Sequence, residues 1–306
     1  MSGDHDHGAH GHSHAPASFG RAFAIGTALN LGFVAVEATY GVLAGSMALL
    51  ADAGHNLSDV LGLVIAWGAA TLARRAPTAR YTYGLRSSSI LAAFLNALLL
   101  LVAIAIIAVE AIGRFSEPAP VAGNTVMVVA AAGIVVNGIT AWLFASGRKG
   151  DLNIRGAFLH MAADAAVSAG VVVAGFVITR TGWSWIDPVT SLVIVAVIAV
   201  GTWGLLRDSV NMSLQAVPPG IDMAEIEAFL RERSGVADIH DLHVWPLSTT
   251  ETALTVHLVV PRGTPGDHYV ATIAGELHDR FGIDHATVQV ESGDGAACRF
   301  EPDDVV

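Results

Sequence analysis

The 306-residue chain is 53% hydrophobic and 14% charged, against about 25% charge in ordinary soluble domains, so an ordinary water-soluble globule is excluded. Its net charge of -11 falls within residues 209–306, where 5 Arg face 16 Asp or Glu, while residues 1–208 balance to zero; no basic patch for nucleic acid remains. The single cysteine, Cys298, rules out an intrachain disulfide and a Cys-based zinc ribbon.

Residues 1–18 hold His5, His7, His10, His12 and His14 among Gly, Asp and Ala. A stretch so poor in apolar residues is expected to be a disordered tail. It has no basic region before an apolar core and so does not read as a secretory signal. Long apolar runs follow, and a span needs about 20 such residues. They are read as six helices: 19–43, 46–72, 88–113, 121–145, 154–179 and 187–206. Gly45-Ser46 reads as a tight break with Ser46 as an N-cap, and Asp187-Pro188 as an N-cap and first-turn proline opening the sixth helix. Arg74, Arg75, Arg80, Arg86, Arg148, Lys149 and Arg155 crowd the loops of one side, while Arg114 and Arg180 stand on the other. The positive-inside rule then puts both termini in the cytoplasm. A single Lys against many Arg fits a bacterial source, hence a multi-pass protein of a bacterial inner membrane.

From residue 209 the pattern changes. Helical spacing at 221–233 and 267–281, and strand-like patterns at 238–246, 252–260 and 286–291, give the order αββαβ. The expected organisation is a tail (1–18), a six-helix transmembrane domain (19–208), a cytoplasmic α+β domain (209–292) and a C-terminal tail (293–306).

Two spans repeat one motif. The second helix carries His55 and Asp59, and the fifth carries His160 and Asp164. A spacing of four puts both side chains on one helix face, one turn apart. Two such faces turned together offer two imidazoles and two carboxylates, an N₂O₂ set that suits tetrahedral Zn²⁺ and neutralises its charge. A lone pair of this kind in a soluble helix is usually surface. Ionisable residues at membrane depth cost at least ~2.5 kcal/mol and mark pathways, so two copies point to a metal site. Asp52 and Asn56 stand beside His55 as candidates to orient it. Asn30 and Glu37 share a face of the first helix and read as interhelix hydrogen-bond partners. Histidine is a ligand only when neutral and titrates near ~6.5, so proton competition is built into the ligand choice.

The stretch Gly45-Ser-Met-Ala-Leu-Leu-Ala-Asp-Ala-Gly-His-Asn-Leu-Ser-Asp59 resembles the helix-two signature of the cation diffusion facilitators. So do Arg80-Tyr-Thr-Tyr-Gly-Leu-Arg86, His160-Met-Ala-Ala-Asp164, Asp241-Leu-His-Val-Trp245 and His285-Ala-Thr-Val-Gln-Val-Glu291. The resemblance covers residues 19–292. It implies a homodimeric divalent-metal/proton antiporter with alternating access and a cytoplasmic domain of ferredoxin-like shape. By position it makes His55, Asp59, His160 and Asp164 the transport site. Histidine at the first of these resembles the zinc-preferring branch, with Cd²⁺ and other divalent metals as further substrates. The resemblance also places His240, His243, His257, His285 and Glu291 where some members bind regulatory metal, Zn²⁺ here, and Cys298 where some have a Cys-containing tail. Surface or strand-packing roles are the alternative for these histidines; in an αββαβ unit His240 and His257 fall on neighbouring strands. The His-rich N-terminus resembles the family's metal-collecting tails. Members with a metal site between helices two and three build it on His and Asp; residues 73–87 contain no His, Asp or Glu, so none is expected.

Two other classes of protein fit the sequence less well. An intramembrane metal enzyme needs an open coordination position, whereas four protein ligands close the shell, and there is no His-Glu-x-x-His. A metal sensor merely anchored in the membrane would not need six spans with polar residues on them. The expectation is a transporter in a lipid bilayer, not an enzyme.

Overall fold

A computed structural model describes residues 20–73, 75–145, 152–261, 266–293 and 298. Six long helices come first: α1 Gly20–Ala44, α2 Met47–Ala73, α3 Ser88–Ser116, α4 Gly123–Ala145, α5 Leu152–Thr181 and α6 Ile186–Ser213. Among the described residues, five stretches are long and apolar enough to cross a membrane: Thr27–Ala44, Ser88–Ser116, Gly123–Trp142, His160–Thr181 and Ile186–Ser213. The 27-residue α2 carries Asp52, His55 and Asp59 in its first half. The His-rich stretch 1–18 lies outside the described residues.

The chain divides into two compact units. One takes the described residues up to Leu57 together with Glu110–Ile194. Here α4 lies close against α5 because glycines let the backbones approach. A Cβ on Gly123 would stand 2.6 Å from Thr179 Oγ1 and 2.8 Å from the Gly175 carbonyl. Gly133 likewise leaves room for the Phe33 ring of α1.

The start of α2 is held in the same unit. Gly45 adopts φ +64 and turns the chain, and the Ser46 hydroxyl accepts from Leu49 N at 3.2 Å, the expected N-cap bond. Asp187 does something the sequence did not suggest. Helix α6 begins at Ile186, so Asp187 is in its first turn rather than its cap. Its buried carboxylate serves α2 instead: it accepts from Met47 N at 2.6 Å, from Ala48 N at 3.4 Å and from the Ser46 hydroxyl. The orphan N–H groups of a buried helix start need a partner, and a carboxylate suits the positive end of the helix dipole. Asp187→Ala is therefore expected to cost about 2–3 kcal/mol of stability, since buried donors lose a charged acceptor. Thermal unfolding in detergent should show a lower Tm; an unchanged Tm would mean the cap is dispensable.

The second unit takes Ser58–Val109 and the described residues from Val195 on. Helix α6 runs to Ser213, past the expected end at 206. In its polar last turns the Ser209 and Ser213 hydroxyls donate back to the Leu205 and Ser209 carbonyls, at 2.7 and 2.8 Å. The C-terminal domain then shows the expected order: α7 Met223–Arg231, β1 Asp238–Pro246, β2 Thr252–Val259, α8 Asp267–Phe281 and β3 His285–Glu291. Asp222 caps α7 by accepting from Ala224 N at 2.8 Å, and Gly282 at φ +68 ends α8. The sheet order is β1-β2-β3, with β1 antiparallel and β3 parallel to β2. The parallel pair requires a crossover, which α8 supplies. Ile226, Leu230, Leu254, Leu258, Ile273, Leu277 and Ile283 fill the core between sheet and helices.

The loop joining α2 to α3 meets this domain. Arg86 pairs with Glu251 at 2.7 Å, Ser87 Oγ donates to the Leu247 carbonyl at 3.1 Å, and Thr249 N donates to Ser89 Oγ at 3.0 Å. The Tyr83 ring stands edge-on to His285, with centroids 5.5 Å apart. The Arg80–Arg86 motif thus contributes an attachment to the β1–β2 turn and to the first residue of β3.

Candidate metal centres

The first centre lies where α2 and α5 meet. His55 Nε2 is 3.4 Å from Asp164 Oδ1, and His160 Nε2 is 3.6 Å from Asp164 Oδ2. The two imidazoles stand edge to face, 5.9 Å between centroids. Asp164 is almost wholly buried, and its Oδ2 has no hydrogen-bond partner. Two ligands about 2.05 Å from a tetrahedral ion stand about 3.3 Å apart, so His55 Nε2 and Asp164 Oδ1 have the spacing of groups that share an ion; His160 approaches the other carboxylate oxygen and is not in the set of ligand atoms mutually within 4.8 Å. Along α2, Asp59 follows His55 by one turn, and the two offer ligand atoms within 4.8 Å of each other.

Around the ligands the same helices supply polar support. Asp52 is fully buried and accepts from Ser168 Oγ of α5 at 3.2 Å. Asn56 Nδ2 donates to Glu37 Oε2 of α1 at 3.1 Å. Glu37 is also fully buried and lies beside Asp52. Asn30 Nδ2 reaches Met161 Sδ of α5 at 3.8 Å. Glu37 and Asn30 are the interhelix partners expected of them. That Glu37 would join Asn56 and Asp52 depends on how α1 packs, which their spacing in the chain does not reveal.

The second centre is on the sheet of the C-terminal domain. His240 and His257 are directly paired across β1 and β2, with ring centroids 5.0 Å apart. Val259 pairs with Glu291 on β3. The Glu291 carboxylate lies 3.0 Å from His257 Nδ1 and 3.5 Å from His240 Nε2, and Cys298 Sγ lies 3.6 Å from His257 Nδ1. His240, His257, Glu291 and Cys298 offer ligand atoms all within 4.8 Å of one another. His240 Nε2 is buried without a hydrogen-bond partner, which a bound cation would supply. A set of two imidazoles, a carboxylate and a thiolate fits tetrahedral Zn²⁺. Burial pushes the Glu291 carboxyl up, but hydrogen bonds from Gln289 and Cys298 and the charges of His240 and His257 outweigh it. The carboxyl is held below its ordinary range, so it is ionised and ready as a ligand.

His243 and His285 stand apart from this group. An extra residue in β1 between His240 and His243 breaks the register, and His243 Nε2 bonds Asp241 Oδ1 at 2.9 Å. His285 pairs with Ala253 at the far end of β3. Four residues of strand, roughly 13 Å, separate it from Gln289, the residue opposite His257. Neither the bulge nor the end of a strand from which a histidine projects is visible in a motif.

The chain matches the cation efflux transmembrane domain over residues 23–212 and the cation efflux protein cytoplasmic domain over 218–293. The chain belongs to the cation diffusion facilitator family, in its zinc-transporting branch. It is 38% identical over 293 residues to the zinc transporter ZitB of Escherichia coli, with 92% of each chain covered. It is 34% identical over 287 residues to the cadmium, cobalt and zinc/H(+)-K(+) antiporter of Bacillus subtilis, again with 92% of each covered. With the metal cation efflux system protein CzcD of Cupriavidus metallidurans it shares 36% over 283 residues, 92% of this chain and 90% of that one. As a cation diffusion facilitator the chain is a multi-pass membrane transporter and not an enzyme.

Proposed function

We propose that this cation diffusion facilitator exports Zn²⁺, and with lower preference Cd²⁺ or other divalent transition metals, in exchange for protons. His55, Asp59, His160 and Asp164 carry the metal, and Asp52 and Asn56 position them. The observation that carries the reading is the shared carboxylate: histidines from two helices converge on the buried Asp164 at 3.4 and 3.6 Å. The names of the relatives, a zinc transporter and a metal antiporter, agree with it.

The cycle follows from ligand chemistry. With the site open to the cytoplasm, Zn²⁺ displaces protons from His55 and His160. Rocking of the bundle turns the site to the other face, where protons compete for the same nitrogens and release the metal. In this reading α2 is the sixth span, residues 19–208 form the transmembrane domain, and both termini face the cytoplasm of a bacterial inner membrane. Residues 209–292 form a ferredoxin-like module that dimerises the chain and binds regulatory Zn²⁺ at His240, His257, Glu291 and Cys298. The tail histidines, His5 to His14, collect metal on the loading side.

Proteoliposomes carrying a pH-sensitive dye test the exchange. Zn²⁺ entering vesicles should drive protons out, and an imposed pH gradient should accelerate Zn²⁺ uptake several-fold. Zn²⁺ uptake indifferent to the gradient, with no proton movement, would leave a uniporter.

A further inference from the structure

We propose that Asp241 is the positioning residue of the C-terminal metal centre, fixing His257 so that its Nδ1 is the metal-binding nitrogen. The proposal rests on the reading of His240, His257, Glu291 and Cys298 as a metal site.

The two nitrogens of His257 face different groups. Nδ1 faces Glu291 Oε1 at 3.0 Å and Cys298 Sγ at 3.6 Å, the other members of the cluster. Nε2 faces Asp241 Oδ2 at 3.4 Å, on the opposite edge of the ring. A metal-bound histidine donates its other ring N–H to a carboxylate or carbonyl, which sets the tautomer and holds the ring in place. Asp241 supplies that carboxylate. Its other oxygen is held by His243 Nε2 at 2.9 Å, so His243 acts as an outer anchor for Asp241. This gives the half-exposed His243 a part in the centre without direct ligation.

The backbone shows how Asp241 comes to be there. Neighbouring residues of a regular strand point to opposite faces, so with His240 turned to the cluster, residue 241 would face away. The bulge between His240 and His243 removes that constraint. Asp241 takes φ +51, one of two described non-glycine residues with positive φ. Such a conformation is sparsely populated and persists where surrounding contacts enforce it. Aspartate and asparagine tolerate it better than most residues. Here it brings the carboxylate to His257.

The test uses cobalt and the purified full-length chain in detergent. Cys298 is the only cysteine, so a thiolate-to-cobalt charge-transfer band reports this centre alone, whatever binds at the transport site or the tail. The wild-type chain should show the band, and His257→Ala and Cys298→Ser should lose it. Asp241→Gly keeps the left-handed backbone accessible and removes the carboxylate. Its half-saturating Co²⁺ concentration should rise about 10–100-fold, with the band retained at saturation. Asp241→Asn keeps the backbone preference and one acceptor oxygen, and should show a smaller rise. Wild-type affinity in both Asp241 variants would overturn the positioning role while leaving the centre intact. A wild-type chain with no band would overturn the four-ligand centre itself, and the proposal with it.

Discussion

Asp164→Ala is expected to reduce Zn²⁺ flux in proteoliposomes to the level of empty vesicles, while the chain still inserts and elutes as the wild type does. Asp164 is the residue that both His55 and His160 approach. Removing it takes away a ligand and half the negative charge that the four-residue set would place on a divalent ion. In a site shielded from water that charge has no substitute, because a cation is tolerated there only when paired. The fold should survive, since alanine is a strong helix former. Asp164→Asn keeps the volume and one oxygen but not the charge. It should also fall far below wild type, which separates lost neutralisation from lost packing. Size-exclusion profiles and initial Zn²⁺ rates decide the matter. Wild-type flux in the Asp164→Ala protein would remove the transport site from α5.

The two His-x-x-x-Asp pairs were readable in the chain because a helix converts spacing into direction. A spacing of four from His to Asp fixes both side chains on one face whatever the rest of the protein does. The alternation of strands had similar force, and the αββαβ order of the C-terminal domain followed from it. Contacts set by packing were not readable. Asp187 looks like the cap of its own helix, and only the meeting of two helix starts shows that it caps α2. Glu37 is nineteen residues from Asn56 and joins it through the packing of α1 against α2. In the sheet, His240 and His257 fell on neighbouring strands as expected, and the antiparallel pairing of β1 and β2 put them directly opposite each other. A bulge of one residue then separated His243 from that pair and brought Asp241 to it. Periodicity cannot register such an insertion, because a bulge is a defect in the very period being read.

His55→Asp is expected to change which metal the protein moves. The substitution exchanges a borderline nitrogen for a hard oxygen at one corner of the site and adds a negative charge. Imidazole suits Zn²⁺, whereas carboxylate suits Mn²⁺ and harder ions. A carboxylate can also bind through both oxygens, which favours larger ions with higher coordination numbers. The Zn²⁺ preference over Mn²⁺ or Cd²⁺ should therefore fall by about tenfold, or about 1.4 kcal/mol of differential binding. The pH dependence should move with it. An imidazole, whose ordinary pKa is near ~6.5, is exchanged for a carboxyl, whose ordinary pKa is near ~4, so protons at neutral pH should compete less well for the variant site. Release on the acidic side should then slow, and saturating Zn²⁺ flux should drop even where binding is retained. The approach of His55 to Asp164 makes a further demand: with Asp at position 55, two carboxylates face each other unless a cation lies between them. The variant should be more dependent on bound metal for its thermal stability than the wild type is. Competition uptake with Zn²⁺, Cd²⁺ and Mn²⁺, followed across pH, tests the first two consequences, and thermal unfolding with and without Zn²⁺ tests the third. An unchanged metal ranking at every pH would mean that His55 does not touch the transported ion, and the site would have to be rebuilt around His160 and Asp164.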